Sequence, residues 1–413
     1  MSQQGPILVV STARRPSFAA ALDIARLFPV VEAEWADAAR AVEQVQPAAV
    51  LIAAPDIDAA GFAALAARIA ARQPYLPLIS VDPQIPLPEN AIPFFQSQTL
   101  PGLAGSERLV ARLRAALRVR SLHATVMRRL EPSTPMALSH IDTARDATVL
   151  LVGRAGAFPA LSVSLGERTG VVGALSIEAA AKHLNTRDID GIVLAEGFSS
   201  RVIDAFLTVL TEDARFRHLP VVVTGGDLAP AYDLPNLEII SADPAQVVAT
   251  VLPLIRQHAF ETLLSRTLKA IDAEGLIDAR TGLLTSEAFE RDFASAVYQT
   301  QQRGGGLSVA RFAFDPEHPR AQFDGARIIS RLMRKMDFGA IQEDGAVVVA
   351  FAECDLKTAH AIARRLSSVM RHTSNGKREA RSEPVVTVAT LLPNDSAKSL
   401  RMRLHEEAKR AAS

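Results

Sequence analysis

The sequence predicts an α/β protein, with two open doubly wound domains of similar build followed by a third α/β domain. Three observations carry this. Short apolar runs recur along the first two thirds of the chain, Ala- and Leu-rich helical segments separate them, and the runs repeat at a fixed displacement. Ile7-Leu-Val-Val-Ser11 returns 142 residues on as Val149-Leu-Leu-Val-Gly153, and Ala49-Val-Leu-Ile-Ala53 returns at the same displacement as Gly191-Ile-Val-Leu-Ala195. Leu76-Pro-Leu-Ile-Ser80 matches Leu219-Pro-Val-Val-Val223, one residue out of step.

Runs that are apolar throughout, rather than alternating, read as parallel strands buried on both faces. The segments between them, Phe18 to Leu27 and Gly61 to Ala71, then Ile177 to Leu184 and Ser200 to Leu210, carry helical spacing. Strands alternating with helices imply right-handed βαβ units and an open sheet. The repeat places one domain over residues 1–120 and its sibling over 146–258, joined by a linker, 121–145, that contains Glu131-Pro-Ser-Thr-Pro-Met136. A helical linker over 259–277 leads to the third domain, 278–413; the helical segment Val251 to Ala273 keeps apolar residues at Leu254, Ile255, Leu263, Leu264 and Leu268.

Bulk properties exclude several classes. The 413 residues balance 45 basic against 45 acidic side chains, which argues against a nucleic-acid partner held by phosphate attraction. One cysteine, Cys354, rules out an internal disulfide framework and fits a reducing compartment. No apolar run reaches the roughly 18 to 20 residues that span a bilayer, and the first residues show no basic leader, so the expected location is cytoplasmic.

The size and strand spacing of the first two domains resemble the flavodoxin-like receiver domain of response regulators. A working receiver needs an acidic pair after its first strand for Mg²⁺ and an aspartate ending its third strand to accept phosphate. It also needs a hydroxyl after strand four and a Lys-Pro after strand five. Here Ser11-Thr12 and Gly153-Arg154 stand at the acidic pair, and Ala53 and Ala195 at the phosphoacceptor. Ser80 and Thr224 keep the hydroxyl; no lysine occurs in Phe94 to Pro101, and Asp243-Pro244 replaces Lys-Pro. Asp56 and Glu196 lie nearby and read as solvated loop carboxylates. Neither domain is therefore expected to take phosphate. Receivers commonly dimerise through their last helices, and Ser106 to Leu130 is the corresponding helix. Its arginines (108, 112, 114, 118, 120, 128 and 129) are expected on a solvated face, with Leu109, Leu113 and Leu117 packed inward.

After the linker helix comes Asp278-Ala-Arg-Thr-Gly-Leu-Leu-Thr-Ser-Glu-Ala-Phe289. It resembles the D-x-L-T-G-L-x-N-R-x-x-F entry motif of GGDEF domains, matching at Asp278, Thr281, Gly282, Leu283 and Phe289. Arg280, Thr285 and Ser286 depart from it. The domain order is that of PleD- and PopA-like regulators. Active relatives condense two GTP molecules into cyclic di-GMP with two metal ions held on carboxylates. The resemblance puts Ala313 on a metal position, with Asp315 on the strand's second acidic place. It assigns Pro316 to Gly325 to a contracted guanine-reading loop and Glu343-Asp344-Gly345-Ala346-Val347 to the signature hairpin. The glycines have become acids and the acids Gly and Ala, so the expectation is a pseudoenzyme with no catalytic residues, no resident cofactor and no metal. The final helix, Ser399 to Ala412, ends without the family's last turn and strand.

Arg334-Lys-Met-Asp337 falls where relatives carry an R-x-x-D inhibitory site for cyclic di-GMP, which the resemblance makes the candidate ligand at Arg334 and Asp337. A guanidinium suits phosphate or the guanine face, and a carboxylate accepts from guanine N–H groups. The plainer reading is an exposed i,i+3 ion pair on a helix end. The reading is thus a non-catalytic regulator or scaffold in a cyclic di-GMP or two-component pathway, with signalling proteins or a second copy as partners. The competing readings are a residual GTP-binding or GTP-hydrolysing enzyme, and a dimerisation scaffold without nucleotide. Gly304-Gly-Gly306 reads as a turn rather than a phosphate loop, and Cys354 as an inert strand-end thiol.

Overall fold

The computed structural model describes residues 6–412 except 13–14, 25–28, 55, 97–104, 130–142, 144, 155, 226–231, 242, 304–305, 317–318, 335 and 371–382. The Glu131–Met136 linker, Gly304 and Gly305 fall outside the described residues. The chain divides into two compact units. One comprises Met1–Ser164, Ala174–Ile177 and Asp190–Leu264; the other comprises Leu165–Gly173, Glu178–Ile189 and Ser265–Ser413.

The first sheet is built from β1 (Ile7–Ser11), α1 (Ser17–Ile24), β2 (Val30–Glu34), α2 (Ala38–Val45), β3 (Ala49–Ala53), α3 (Ala59–Ala70), β4 (Leu78–Val81), β5 (Ala91–Phe94) and α4 (Gly105–Arg129). Its strands are all parallel, in the order β2-β1-β3-β4-β5. The second repeats the plan with β6 (Thr148–Val152), α5 (Ala157–Gly166), β7 (Gly170–Ala174), α6 (Ile177–Thr186), β8 (Gly191–Leu194), α7 (Ser200–Glu212), β9 (Val221–Thr224), β10 (Leu237–Ile240) and α8 (Pro244–Asp272). Its order, β10-β9-β8-β6-β7, is the same doubly wound arrangement read from the other edge. Central strands β1, β3, β6 and β8 are buried along nearly their whole length, as runs without polar alternation require.

Arg114, Arg118 and Arg129 of α4 are exposed as expected, but Arg108 and Arg112 depart from the solvated face. Arg112 is fully buried and Arg108 nearly so. Both reach the buried Glu238 of β10: Arg112 Nη2 donates to Oε1 at 2.7 Å and Arg108 Nη2 to Oε2 at 3.3 Å. Carbonyls of Pro235 (2.7 Å) and Pro93 (3.3 Å) take further donors of Arg112, so burial leaves this guanidinium well satisfied. Helical periodicity cannot foresee a partner 126 residues away on a strand. Leu109, Leu113 and Leu117 do pack inward, in a core cluster with Phe94, Ile79 and Leu254.

The third sheet comprises α9 (Ser286–Arg303), β11 (Leu307–Ala313), α10 (Pro319–Leu332), β12 (Phe338–Ile341), β13 (Val347–Ala352), α11 (Leu356–Met370), β14 (Val385–Thr390) and α12 (Ala397–Ala412). It is antiparallel, in the order β12-β13-β11-β14. Alternate residues serve its two faces. Ala310, Phe312, Val349 and Phe351 cluster with Ile329, Ile362 and Leu366 of α10 and α11; Val309, Val348, Ala350 and Ala389 cluster with Phe289, Phe293, Leu400 and Leu404 of α9 and α12. The Pro316–Gly325 stretch, expected as a loop, is helical from Pro319, whose fixed φ suits a first helical turn. Among the described residues, no helix is long and apolar enough to cross a membrane.

Candidate functional site

The entry motif is a folding device. Asp278 accepts from the Arg280 backbone N–H at 2.9 Å and from the Thr281 hydroxyl at 2.8 Å, which folds the chain into a tight turn. Gly282 closes it at φ +76°, and a Cβ there would stand 2.9 Å from the Ser330 hydroxyl. Leu284 then donates to the Gly339 carbonyl, and Phe289 stacks on Phe293 with centroids 5.6 Å apart. The five matching positions thus seat α9 beside β12.

The hairpin joining β12 to β13 has Gln342 to Ala346 at its tip. Gln342 N–H donates to the Ala346 carbonyl at 2.8 Å, and Gly345 takes φ +81°. Asp344 does not stand free. Arg311 of β11 donates to its Oδ2 at 2.7 Å, and Ala346 N–H to its Oδ1 at 3.1 Å. Burial alone would raise its pKa, but these partners outweigh it and hold the carboxyl below the usual range. Ala313 ends β11, opposite Val385, and contributes only a methyl group. Beside the tip, α9 and α12 line an open pocket of ≈ 1040 Å³. Its charged lining is mixed: Arg311, Lys398 and Arg401 against Glu290, Glu343, Asp344 and Glu406, with His405 beside them. Arg401 is itself committed, to Glu290 and, at 3.0 Å, to Gln342 Oε1. Among the described residues, no three His, Cys, Asp or Glu side chains gather as a metal site would require.

The other candidate lies on the turn between α10 and β12. Arg334 is exposed, whereas Asp337 is buried. They meet through the backbone: Asp337 Oδ2 accepts the Arg334 N–H at 3.4 Å, and Oδ1 accepts the Ala352 N–H at 3.3 Å. This is a turn-closing carboxylate, not the exposed ion pair of the plainer reading. Burial pushes its pKa up, against the pull of the two N–H groups and of two cations, Arg334 and Arg365. Arg365 of α11 is a neighbour that the R-x-x-D spacing could not disclose, because it lies 28 positions beyond Asp337. Cys354 is buried close by and its thiol pKa is raised by burial, which keeps it protonated.

At the C-terminal ends of the parallel strands, where such sheets bind ligands, the described residues of β6 and β8 in the second sheet approach one another closely. A Cβ on Gly153 would lie 2.7 Å from that of Ala195, and Arg154 N–H donates to the Glu196 carbonyl at 3.2 Å. The Thr224 hydroxyl is turned to the Leu194 carbonyl at 3.3 Å, and Asp243 caps α8 through the Gln246 N–H at 2.8 Å. In the first sheet Ser80 is buried, and Asp82 Oδ1 accepts the Gln96 N–H at 2.8 Å.

No protein-family model matches the sequence, and no curated protein does. Solved structures do. The FimX GGDEF domain from Pseudomonas aeruginosa is 20% identical at a TM-score of 0.30, over 33% of this chain and 93% of that one. The GGDEF domain of DgcB from Caulobacter crescentus, in complex with c-di-GMP, is 17% identical at 0.28, over 33% and 89%. The diguanylate cyclase SiaD from Pseudomonas aeruginosa, in complex with its activator SiaC, is 15% identical at 0.30, over 35% and 63%.

Proposed function

We propose that this protein is a non-catalytic signalling regulator of the cyclic di-GMP or two-component type. Its first two domains act as pseudo-receivers and its third as a GGDEF-like domain that binds cyclic di-GMP rather than making it. The observation that carries the reading is the hairpin tip. Where the resemblance requires the hairpin's carboxylates open to metal stand Gly345 and Ala346; the adjacent Asp344 is paired with Arg311, and the neighbouring strand ends in Ala313. Two-metal phosphoryl chemistry needs ligands at both places.

The close approach of Gly153 and Ala195 in the second sheet supports the pseudo-receiver half of the proposal. A phosphoryl group and its metal need space and a carboxylate there, and Gly153 against Ala195 supplies neither. The ligand half draws on Arg334 and Arg365, two guanidiniums beside one buried carboxylate, a pairing suited to a cyclic diester with two phosphates and guanine edges. Asp337 mainly fixes the turn, and the arginines do the binding. Partner signalling proteins, or a second copy, then read the occupied state.

Calorimetric titration of cyclic di-GMP into wild type, Arg334→Ala and Arg365→Ala tests this. Heat from wild type that each variant loses is the expected result; no heat from wild type at tens of micromolar removes the receptor. The pocket beside the hairpin favours a second reading, GTP held without turnover. Nucleotide-protection thermal shifts with GTP and Mg²⁺ separate it from the first.

A further inference from the structure

Within the unit that holds the third sheet, the start of β7 and the corner after α6 engage α10 at several points along one helical face. At the start of α10, Arg320 lies so close over Gly170 that a Cβ on that glycine would meet Nη2 at 2.5 Å. One turn on, Asp324 accepts from the fully buried Arg187 at 3.3 Å. In the last turn, Arg331 Nη1 donates to the Arg187 carbonyl and to Asp188 Oδ1, both at 2.8 Å, and Nη2 to the Leu184 carbonyl at 3.2 Å.

Two of the arginines act as helix caps. Arg331 covers the last carbonyls of α6, while Arg187 donates to Val369 O in the last turn of α11. Cations at helix C-termini satisfy free carbonyls and oppose the helix dipole. Asp188 also pairs with Arg266 of α8, so one carboxylate joins α6, α8 and α10. The geometry has a further consequence. Arg331 stands three residues before Arg334, and the helix that Arg187 caps carries Arg365.

We propose that Arg187 and Asp188 form a latch that sets α10 against α11, making them positioning residues for Arg334 and Arg365 and coupling the site to the connector helix α8. The coupling to a ligand rests on the functional reading above; the latch itself does not. Hydrogen exchange on the full chain without ligand compares wild type with Asp188→Asn and Arg331→Lys. Asp188 is partly exposed, so its loss leaves the fold standing. Peptides in 319–334 and 356–370 are expected to exchange about tenfold faster in both variants, with β11 and β13 as protected as in wild type. Unchanged helices, or equal loss across the whole sheet, overturns the latch. Titration with cyclic di-GMP reads the coupling. If wild type binds, Asp188→Asn is expected to bind about tenfold more weakly, and equal affinity overturns the coupling. No binding by wild type defeats the ligand reading and the coupling with it, while exchange still decides the latch.

Discussion

Replacing Glu238 by glutamine leaves two guanidiniums, Arg108 and Arg112, facing each other in a buried site without a counter-charge. Arg112 is fully enclosed, and burial already lowers its pKa, with Glu238 as the main opposing influence. Removing one partner of a buried pair costs about 3–5 kcal/mol, because the remaining charge is left uncompensated. Glutamine can still accept one bond, which puts Glu238→Gln near the low end, about 3 kcal/mol. For a unit of this size that corresponds to a fall in Tm of roughly 6–12 °C. The chain has one tryptophan, Trp35, which packs edge-on against Phe62 beside the first sheet, so its fluorescence reports this unit's unfolding. A fall of less than about 2 °C would refute the buried-triad reasoning. Replacing all three residues by Met, Leu and Leu is expected to recover most of the loss, since apolar residues of similar volume often substitute for a buried ion network without penalty.

Further expectations concern other parts of the molecule. His218 is half-buried near Arg118 and Arg217; burial, then these cations, lower its pKa from 6.5 to about 4. The unfolded state then binds the proton more readily, so stability is full above about pH 6.5 and falls as the pH drops towards 4. His218→Gln should flatten that dependence in urea melts taken at pH 7 and pH 5. A methyl group on Gly325 of α10 would land on the Phe314 ring, so Gly325→Ala is expected to destabilise the third sheet by about 1–3 kcal/mol, read by calorimetric unfolding. Arg311→Ala breaks a partly exposed pair and should cost less than about 1 kcal/mol in the same measurement, while freeing Asp344.

Much of the fold was legible in local pattern. Ile7–Ser11 and Val149–Val152 are strands because parallel strands buried on both faces leave an uninterrupted apolar run. The entry motif was legible because its turn chemistry is local: Asp278, Thr281 and Gly282 bond one another within five residues. The buried pair Arg108 and Arg112 of α4 was not. A buried cation is defined by what approaches from elsewhere in the chain, and Glu238 approaches from 126 residues away. The same limit hid Arg365 beside Asp337 and Arg187 against Asp324. It also hid the α10 helix behind a stretch rich in turn formers, where Pro319 opens the helix instead of breaking it.

The proposal of a non-catalytic protein turns on the hairpin tip. Incubating the purified chain with GTP and Mn²⁺ and quantifying cyclic di-GMP tests that most directly. With Asp344 held by Arg311 and a methyl group at Ala313, no product above the no-enzyme control is predicted. Time-dependent cyclic di-GMP formation that scales with protein concentration would contradict the account.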